Sequence, residues 1–263
     1  GFATYTECLW EEHKPGSTGL PAYLAAMIAR KPTSVTESVY RTDVSSASTI
    51  FSTNFAYRKG AWALHQLRHI VGDTTFYNIL QTYRATYQGS AATTDDFKNV
   101  ASAVYGQDLG WFFDECVYAP GAPAYASGWQ SVNINGQNYL RLRLRQSQTA
   151  YPAFTFPVDV RVNFASGNQT VTVWNNAGTE WYVVPITAPA TGIVVDENSW
   201  ILTTAKTSEA YVNGPPKVIQ ASPAPGASYA SGAGPSQLSV TFSENVTTSG
   251  ADYVLTGPSG AVP

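Results

Sequence analysis

The chain has 263 residues, which is enough for one large domain or two smaller ones. Charged residues make up only 13% of it and the formal net charge is −3. Nucleic acid is excluded as a partner class, because phosphate binding needs clustered Lys and Arg and no basic block is present. No apolar run approaches the roughly 20 residues of a membrane-spanning helix. Few charges, two cysteines and many Thr, Ser, Asn and Tyr residues are typical of an exported bacterial protein.

The first 125 residues show the three- and four-residue apolar spacing of amphipathic helices. This spacing predicts helices over residues 23–31, 58–73, 75–87, 93–106 and 108–118. The fourth of them has Thr94 or Asp95 as its predicted N-cap, with acidic residues in its first turn. Gly106 is predicted to end it, since glycine readily adopts the left-handed conformation that closes many helices.

From residue 126 onward the apolar period changes to two, which is typical of strands. Short predicted strands at hairpin spacing indicate an antiparallel β-sandwich over residues 126–212. Arg141, Arg143 and Arg145 alternate with leucines, so the three arginines share one face of a strand. We interpret that face as solvated, with contact to an anion or a peptide carboxylate as the alternative.

Pro and Gly cluster in residues 212–229, as in a stiff linker. Beyond the cluster, residues 237–246 and 252–257 are predicted strands of a small Ig-like module. The sequence therefore predicts an α+β multidomain chain. Its three units are a helical unit over 1–125, a β-sandwich over 126–212, and a linker with a partial Ig-like module over 213–263.

Two pairs of residues leave alternatives open. Cys8 and Cys116 either form one disulfide that closes a long loop or remain two buried free thiols. His65 and His69 are four residues apart on one predicted helix, which is a spacing of zinc ligands. Gln66 stands where an H-E-x-x-H motif has its glutamate, so we interpret the two as one buried and one exposed helix histidine.

Several stretches together carry a family resemblance, and they run in the order "GFATYTE", "AYRKGAWALHQLRHIVGD", "TTDDF" and "DLGWFFDECVYAPGAPAY". Over residues 1–125 the chain resembles the aminopeptidase N family of zinc metallopeptidases, the gluzincins. The resemblance implies the α-helical C-terminal half of a thermolysin-like catalytic domain. In that family "GFATYTE" follows the glutamate that is the third zinc ligand. The H-E-x-x-H helix and this glutamate would then precede Gly1, so we expect a C-terminal fragment that holds no zinc ligand.

The same resemblance implies roles for single residues. Tyr57 matches the catalytic tyrosine and would donate a hydrogen bond to the oxyanion that forms during peptide hydrolysis. Glu7 lies seven residues after the expected ligand glutamate, nearly two helical turns, and so on the same helix side. It would accept the second N–H of a zinc-ligand histidine. Lys59 is predicted to be structural or to orient a nearby carboxylate. A core role is predicted for Trp62, Trp111, Phe112 and Phe113.

The predicted function is that of a secreted zinc-dependent aminopeptidase in the intact parent, acting on peptides, while this chain alone is inactive. Zinc would be the cofactor of the parent, and none is expected in this chain. The resemblance slightly favours pairing of Cys8 with Cys116, since both cysteines fall in the matched region. The alternative function is that of a non-catalytic binding or scaffold relative, whose β modules attach to a cell surface or a glycan.

Overall fold

The computed structural model of the protein describes residues 1–230 and 233–247, and the backbone of residues 256–257 and 260–261. The first half is helical and the second half is built of strands, as the change of apolar period predicts. The helices are α1 (Phe2–His13), α2 (Leu20–Ala29), α3 (Ala47–Ile50), α4 (Gly60–Val71), α5 (Asp73–Tyr87), α6 (Thr94–Tyr105) and α7 (Gly110–Phe113). Two π-helical segments accompany them, the first over Thr53–Lys59 and the second over Asp114–Tyr118.

The strands follow from Ala124 onward. They are β1 (Ala124–Ile134), β2 (Gln137–Gln146), β3 (Phe156–Asn163), β4 (Asn168–Asn175), β5 (Thr179–Ile186), β6 (Gly192–Val195), β7 (Ala205–Ser208), β8 (Val218–Ser222), β9 (Ser239–Phe242), β10 (Thr256–Gly257) and β11 (Gly260–Ala261). No helix in the described part of the chain is both long enough and apolar enough to span a bilayer.

Helix α6 begins at Thr94 with Thr93 as its N-cap, which corrects the predicted cap at Thr94 or Asp95. The Thr93 hydroxyl accepts a hydrogen bond from the Asp96 N–H, and the Asp96 side chain accepts one from the Thr93 N–H. This reciprocal pair is a capping box. Thr94, predicted as a possible cap, is the first helical residue. Gly106 closes the helix in the left-handed conformation, with φ of 78°, as predicted.

Strands β1 to β7 form two sheets, with strand orders β5-β2-β1-β7 and β4-β3-β6, while β8–β9 and β10–β11 are separate two-stranded sheets. The β1–β2 hairpin turns at Asn135 and Gly136, whose φ angles of 51° and 85° suit a tight two-residue turn. The pairs between successive strands are antiparallel, as predicted, but β1 pairs with β7 in parallel. The apolar faces of β2 and β3 belong to the same buried core as the helices.

The arginine face of β2 is only partly exposed, which corrects its interpretation as a solvated face. Arg143 and Arg145 each pair with the Glu209 carboxylate, at 2.8 and 2.7 Å, and Arg141 donates to the Ser243 carbonyl. The leucines that alternate with them are fully buried, as predicted. The carboxylate that these arginines contact therefore comes from this chain itself.

Residues beyond 212 depart from the predicted linker. Strand β8 (Val218–Ser222) lies inside the predicted linker 212–229 and pairs antiparallel with β9. Strand β9 coincides with part of the predicted strand 237–246. The predicted strand 252–257 lies outside the described residues, apart from the backbone of its last two.

Helix α4 joins the helical part to the β part through its buried side chains. His65 Nε2 lies 3.0 Å from the Ser199 carbonyl, and the Leu202 N–H donates to the Gln66 side chain at 2.7 Å. His69 Nε2 lies 3.1 Å from the Pro157 carbonyl. The prediction of an exposed histidine is therefore wrong for His69, because the β part covers both rings.

Both cysteines are buried and free, so the alternative of two buried thiols is confirmed and the disulfide that the resemblance slightly favours does not form. The Cys8 thiol instead donates to the Thr4 carbonyl within α1. Burial raises the pKa of both thiols.

Candidate functional site

Tyr57 lies in the first π-helical segment, and its side chain is 38% exposed. Ser52 caps this segment, since its hydroxyl accepts from the Phe55 N–H and its carbonyl accepts from the Tyr57 N–H at 3.2 Å. π-Helical turns are rare and occur frequently at functional sites, because they push one residue out of the regular helix. The segment thus presents the phenol to solvent from a defined backbone.

The start of α1 packs directly against the segment that carries Tyr57. The Gly1 amino group donates to the Ala56 carbonyl at 2.8 Å. A Cβ built on Gly60 would lie only 2.9 Å from the Gly1 Cα, so glycine is required there for the two backbones to approach. The sequence "GFATYTE" and the sequence "AYRKGAW", which are more than fifty residues apart, therefore meet at this point.

Glu7 lies on the exposed side of α1, and its side chain is 62% exposed. The Arg30 guanidinium donates to Glu7 Oε2 from both Nη2 and Nε, at 3.1 and 3.3 Å. These two residues line an open depression together with Ala3, Thr6, Trp10 and Glu11. Tyr57 is not among the lining residues of that depression. Tyr57 and Glu7 thus lie on neighbouring elements, but their side chains do not line the same depression.

Lys59 is buried, and among the described residues its ammonium contacts no carboxylate, which favours the predicted structural role over the orientation of a carboxylate. Its Nζ donates to the carbonyls of Glu37 and Ala119, at 2.8 and 3.2 Å. Burial lowers its pKa to about 8, since desolvation disfavours the charged form, while the nearby Cys116 acts in the opposite direction.

The aromatic residues predicted for the core occupy it. Trp62, Phe112 and Phe113 are at most 2% exposed. Trp111 is partly buried and meets Trp174 of β4 edge-on, with ring centroids 6.2 Å apart.

A buried ion-pair cluster lies under α1, and its burial and its partners were not identified from the sequence. Arg68 is 1% exposed and forms paired hydrogen bonds with the carboxylates of Glu12 and Asp73, at 2.8 to 3.0 Å. Burial alone would lower the pKa of Arg68, but the hydrogen bonds that it donates to Asp73 and Glu12 raise it. Asp73 follows Arg68 by five residues, and this short spacing is a sequence signal for the pair. Glu12 lies 56 positions away, so the sequence gives no signal for its contact with Arg68.

His65 is the second member of this buried region that sequence reasoning did not resolve. A carbonyl only accepts, so the ring must donate to Ser199 from Nε2, which leaves Nδ1 to accept from the Tyr23 hydroxyl at 2.6 Å. Burial lowers the pKa of His65 to about 3 and keeps the ring neutral. The Trp200 ring stacks on it at 4.7 Å and on His69 at 5.2 Å.

Hydrogen bonds occupy ring nitrogens of both α4 histidines that a zinc ion would need. His65 uses both ring nitrogens in hydrogen bonds, and His69 Nε2 is taken by a carbonyl. Among the residues that the structure describes, no three His, Cys, Asp or Glu side chains lie close enough together to hold a metal ion.

Comparison with known proteins finds similarity to a family model, to a curated relative and to a solved structure. Residues 1–116 match the model of the Peptidase family M1 domain. Aminopeptidase N of Lactococcus lactis subsp. lactis is 30% identical over 80 residues, which is 30% of this chain and 9% of that protein.

The structural comparison extends the match into the strands. A crystal structure of Legionella pneumophila aminopeptidase A in complex with aspartic acid superimposes with a TM-score of 0.61 at 14% identity. It covers 81% of this chain and 24% of that chain, and at this identity the likeness shows the fold. The chain therefore spans less than a quarter of the length of both relatives.

Proposed function

We propose that residues 1–116, which match the model of the Peptidase family M1 domain, form the C-terminal part of the catalytic domain of a zinc-dependent aminopeptidase that acts on peptides. The observation that carries the proposal is the position of Tyr57. A solvent-facing phenol stands on a π-helical turn that packs against the start of α1, where two matched stretches of sequence meet. The proposal assigns residues 126–212 to a β-sandwich and 213–263 to a linker with a partial Ig-like module.

Tyr57 is the proposed hydrogen-bond donor to the oxyanion of the tetrahedral intermediate. Such a bond strengthens as negative charge develops on the carbonyl oxygen, so it stabilises the transition state more than the substrate. Loss of one such donor typically raises the barrier by about 2.7–4 kcal/mol. The rigid backbone at Ser52 and Gly60 supports this role, because a donor must be held in place before the charge appears.

Glu7 is the proposed acceptor for the N–H of a zinc-ligand histidine. Both described hydrogen bonds from Arg30 go to its Oε2, which leaves Oε1 available to a further donor. Zinc, when bound, would polarise the scissile carbonyl and activate water. A carboxylate on a ligand histidine fixes the tautomer and the orientation of that ring.

The zinc ligands are proposed to lie outside these 263 residues, since the sequence contains no H-E-x-x-H motif. Trp10 of α1 supports a contact with such a part, because it is 61% exposed and lines the same depression as Glu7. The low share of charged residues supports a secreted location for the intact protein.

An activity assay tests the proposal in two parts. The 263-residue chain, incubated with zinc and an aminoacyl-anilide, is expected to show no turnover above blank. A longer product of the same reading frame that includes H-E-x-x-H and the ligand glutamate is expected to release the anilide, and to lose this activity on chelation. Turnover by the short chain contradicts the proposal, and an intact but inactive longer product favours a non-catalytic binding relative.

A further inference from the structure

We propose that Lys59 is a positioning residue for Tyr57, and that its buried ammonium fixes the π-helical segment by holding the carbonyls of Glu37 and Ala119. This inference rests on the proposed function for its catalytic consequence. Its structural part concerns this chain alone.

The ammonium of Lys59 joins three stretches of chain that are far apart in sequence. Nζ reaches the Glu37 carbonyl at 2.8 Å, in the connection before α3, and the Ala119 carbonyl at 3.2 Å, just after the second π-helical segment. The Glu37 carboxylate does not compensate the charge, because it pairs with Arg41 at 2.6 Å. Lys59 itself is 2% exposed.

A buried ammonium without a carboxylate partner is costly, and an apolar side chain of the same length would fill the space without that cost. Stability alone therefore does not account for a lysine at this position. Charge-assisted hydrogen bonds are shorter and stronger than neutral ones, so they restrain the atoms that they join. The role that remains for the Lys59 ammonium is to restrain the segment Thr53–Lys59.

The geometry of the helical turn links this restraint to the phenol. Residues two apart on a helix project to roughly opposite sides, since each residue turns the chain by about 100°. The exposures agree, because Lys59 is buried at 2% while Tyr57 is 38% exposed. The other end of the segment is also tied down, since the Asn54 side chain accepts from the Thr33 N–H and donates to the Ser34 carbonyl, both at 2.7 Å. The exposed Tyr57 side chain thus lies, along the segment, between Asn54 and Lys59, whose side-chain hydrogen bonds hold the segment at both ends.

The charge of Lys59 depends on pH, and its surroundings determine the direction. Cys116 is the titratable group that acts on its pKa, and Glu115 lines the same small cavity. The Glu115 carboxylate is occupied by the Thr155 N–H and hydroxyl, at 2.6 and 3.0 Å. Because burial lowers the pKa of Lys59 to about 8, its restraint should weaken as the pH rises through that value.

Amide hydrogen exchange on the 263-residue chain tests the structural part. In Lys59→Met, the amide of Tyr57 is expected to exchange at least about tenfold faster than in wild type, while the amides of α6 change little. The matched control Lys98→Met removes a surface ammonium that pairs with Asp95, and it should leave Tyr57 exchange unchanged. Unchanged exchange at Tyr57 in Lys59→Met overturns the inference.

A titration of the wild-type chain keeps the test valid if Lys59→Met does not fold. After correction for the intrinsic pH dependence, Tyr57 exchange should accelerate between about pH 7 and pH 9, following the titration of the Lys59 amine observed by NMR. A corrected rate that stays flat while the amine titrates contradicts the inference.

A double-mutant cycle in the active, longer protein tests the catalytic part. Lys59→Met should lower kcat about tenfold and leave KM unchanged, and it should cause little further loss when Tyr57→Phe is already present. Fully multiplicative losses contradict positioning through Tyr57. If Tyr57→Phe alone leaves kcat unchanged, the proposed function fails, and the exchange comparison then decides the role of Lys59 by itself.

Discussion

Substitution of His65 by glutamine should change how the stability of the chain depends on pH. The His65 ring is buried between Tyr23, Trp200 and the Ser199 carbonyl, and burial lowers its pKa from 6.5 to about 3. The unfolded chain therefore binds a proton at His65 between these two values, and the folded chain does not. Stability from this group rises with pH through that window and is lost as the pH falls below about 6.5.

The magnitude follows from the same two values. At about pH 5 the unfolded imidazole is protonated, roughly 1.5 pH units below its own pKa, while the folded imidazole remains neutral. At 1.36 kcal/mol per unit, the His65 contribution to the free energy of unfolding is about 2 kcal/mol smaller at pH 5 than at pH 8. Glutamine does not titrate, so the variant should lack this dependence.

Urea unfolding followed by tryptophan fluorescence measures the effect. The difference in free energy of unfolding between wild type and His65→Gln should shrink by about 2 kcal/mol from about pH 8 to about pH 5, whatever its size at pH 8. The control His13→Gln changes an exposed histidine and should keep the wild-type profile. Parallel pH profiles for wild type and His65→Gln would refute the reasoning that the ring is neutral and buried.

Three further outcomes are expected from the same unfolding measurement. Burial raises the pKa of Asp196 to about 6, so its contribution to the free energy of unfolding grows as the pH falls from about 6 towards 3.8. Between about pH 8 and about pH 5 this gain is roughly 1.4 kcal/mol, and Asp196→Asn should abolish it. Arg68→Met leaves the Glu12 carboxylate uncompensated and should cost about 3–5 kcal/mol; a cost below 1 kcal/mol contradicts the buried pair. Thr93→Ala should cost about 0.5–2 kcal/mol through the lost cap, whereas Thr94→Ala should be nearly neutral, and equal costs contradict the cap assignment.

The elements with a strong local pattern could be predicted from the sequence. The alternation of leucine and arginine in β2 gives the buried face directly, because side chains alternate across a strand. Helix α6 was located correctly, and its cap could have been assigned by matching Thr93 with the carboxylate of Asp96 three residues later.

Features that depend on distant contacts could not be predicted. Strand β7 has four exposed residues and no apolar alternation, so its parallel pairing with β1 leaves no local signal. His69 is covered because β3 and the Trp200 ring, both distant in sequence, pack against it. A π-helical turn does not differ from an α-helix in its apolar pattern.

The residues of the candidate site also differ in how much sequence signal they carry. The motif around Tyr57 carries enough sequence information to suggest a catalytic role. The partners of Lys59 are backbone carbonyls, which any residue type supplies, so no sequence pattern could identify them. The contact of Arg30 with Glu7 also has no sequence signal, because the two residues are 23 positions apart and meet only where α1 packs against the end of α2.

The most direct test of the central claim is kcat of Tyr57→Phe in the zinc-loaded protein that carries these residues together with its metal ligands. The account predicts an intact fold, an unchanged KM and a kcat lower by about 10²–10³-fold, because the phenol O–H is the only group removed. A kcat within about twofold of wild type would contradict the assignment of Tyr57 to the reaction.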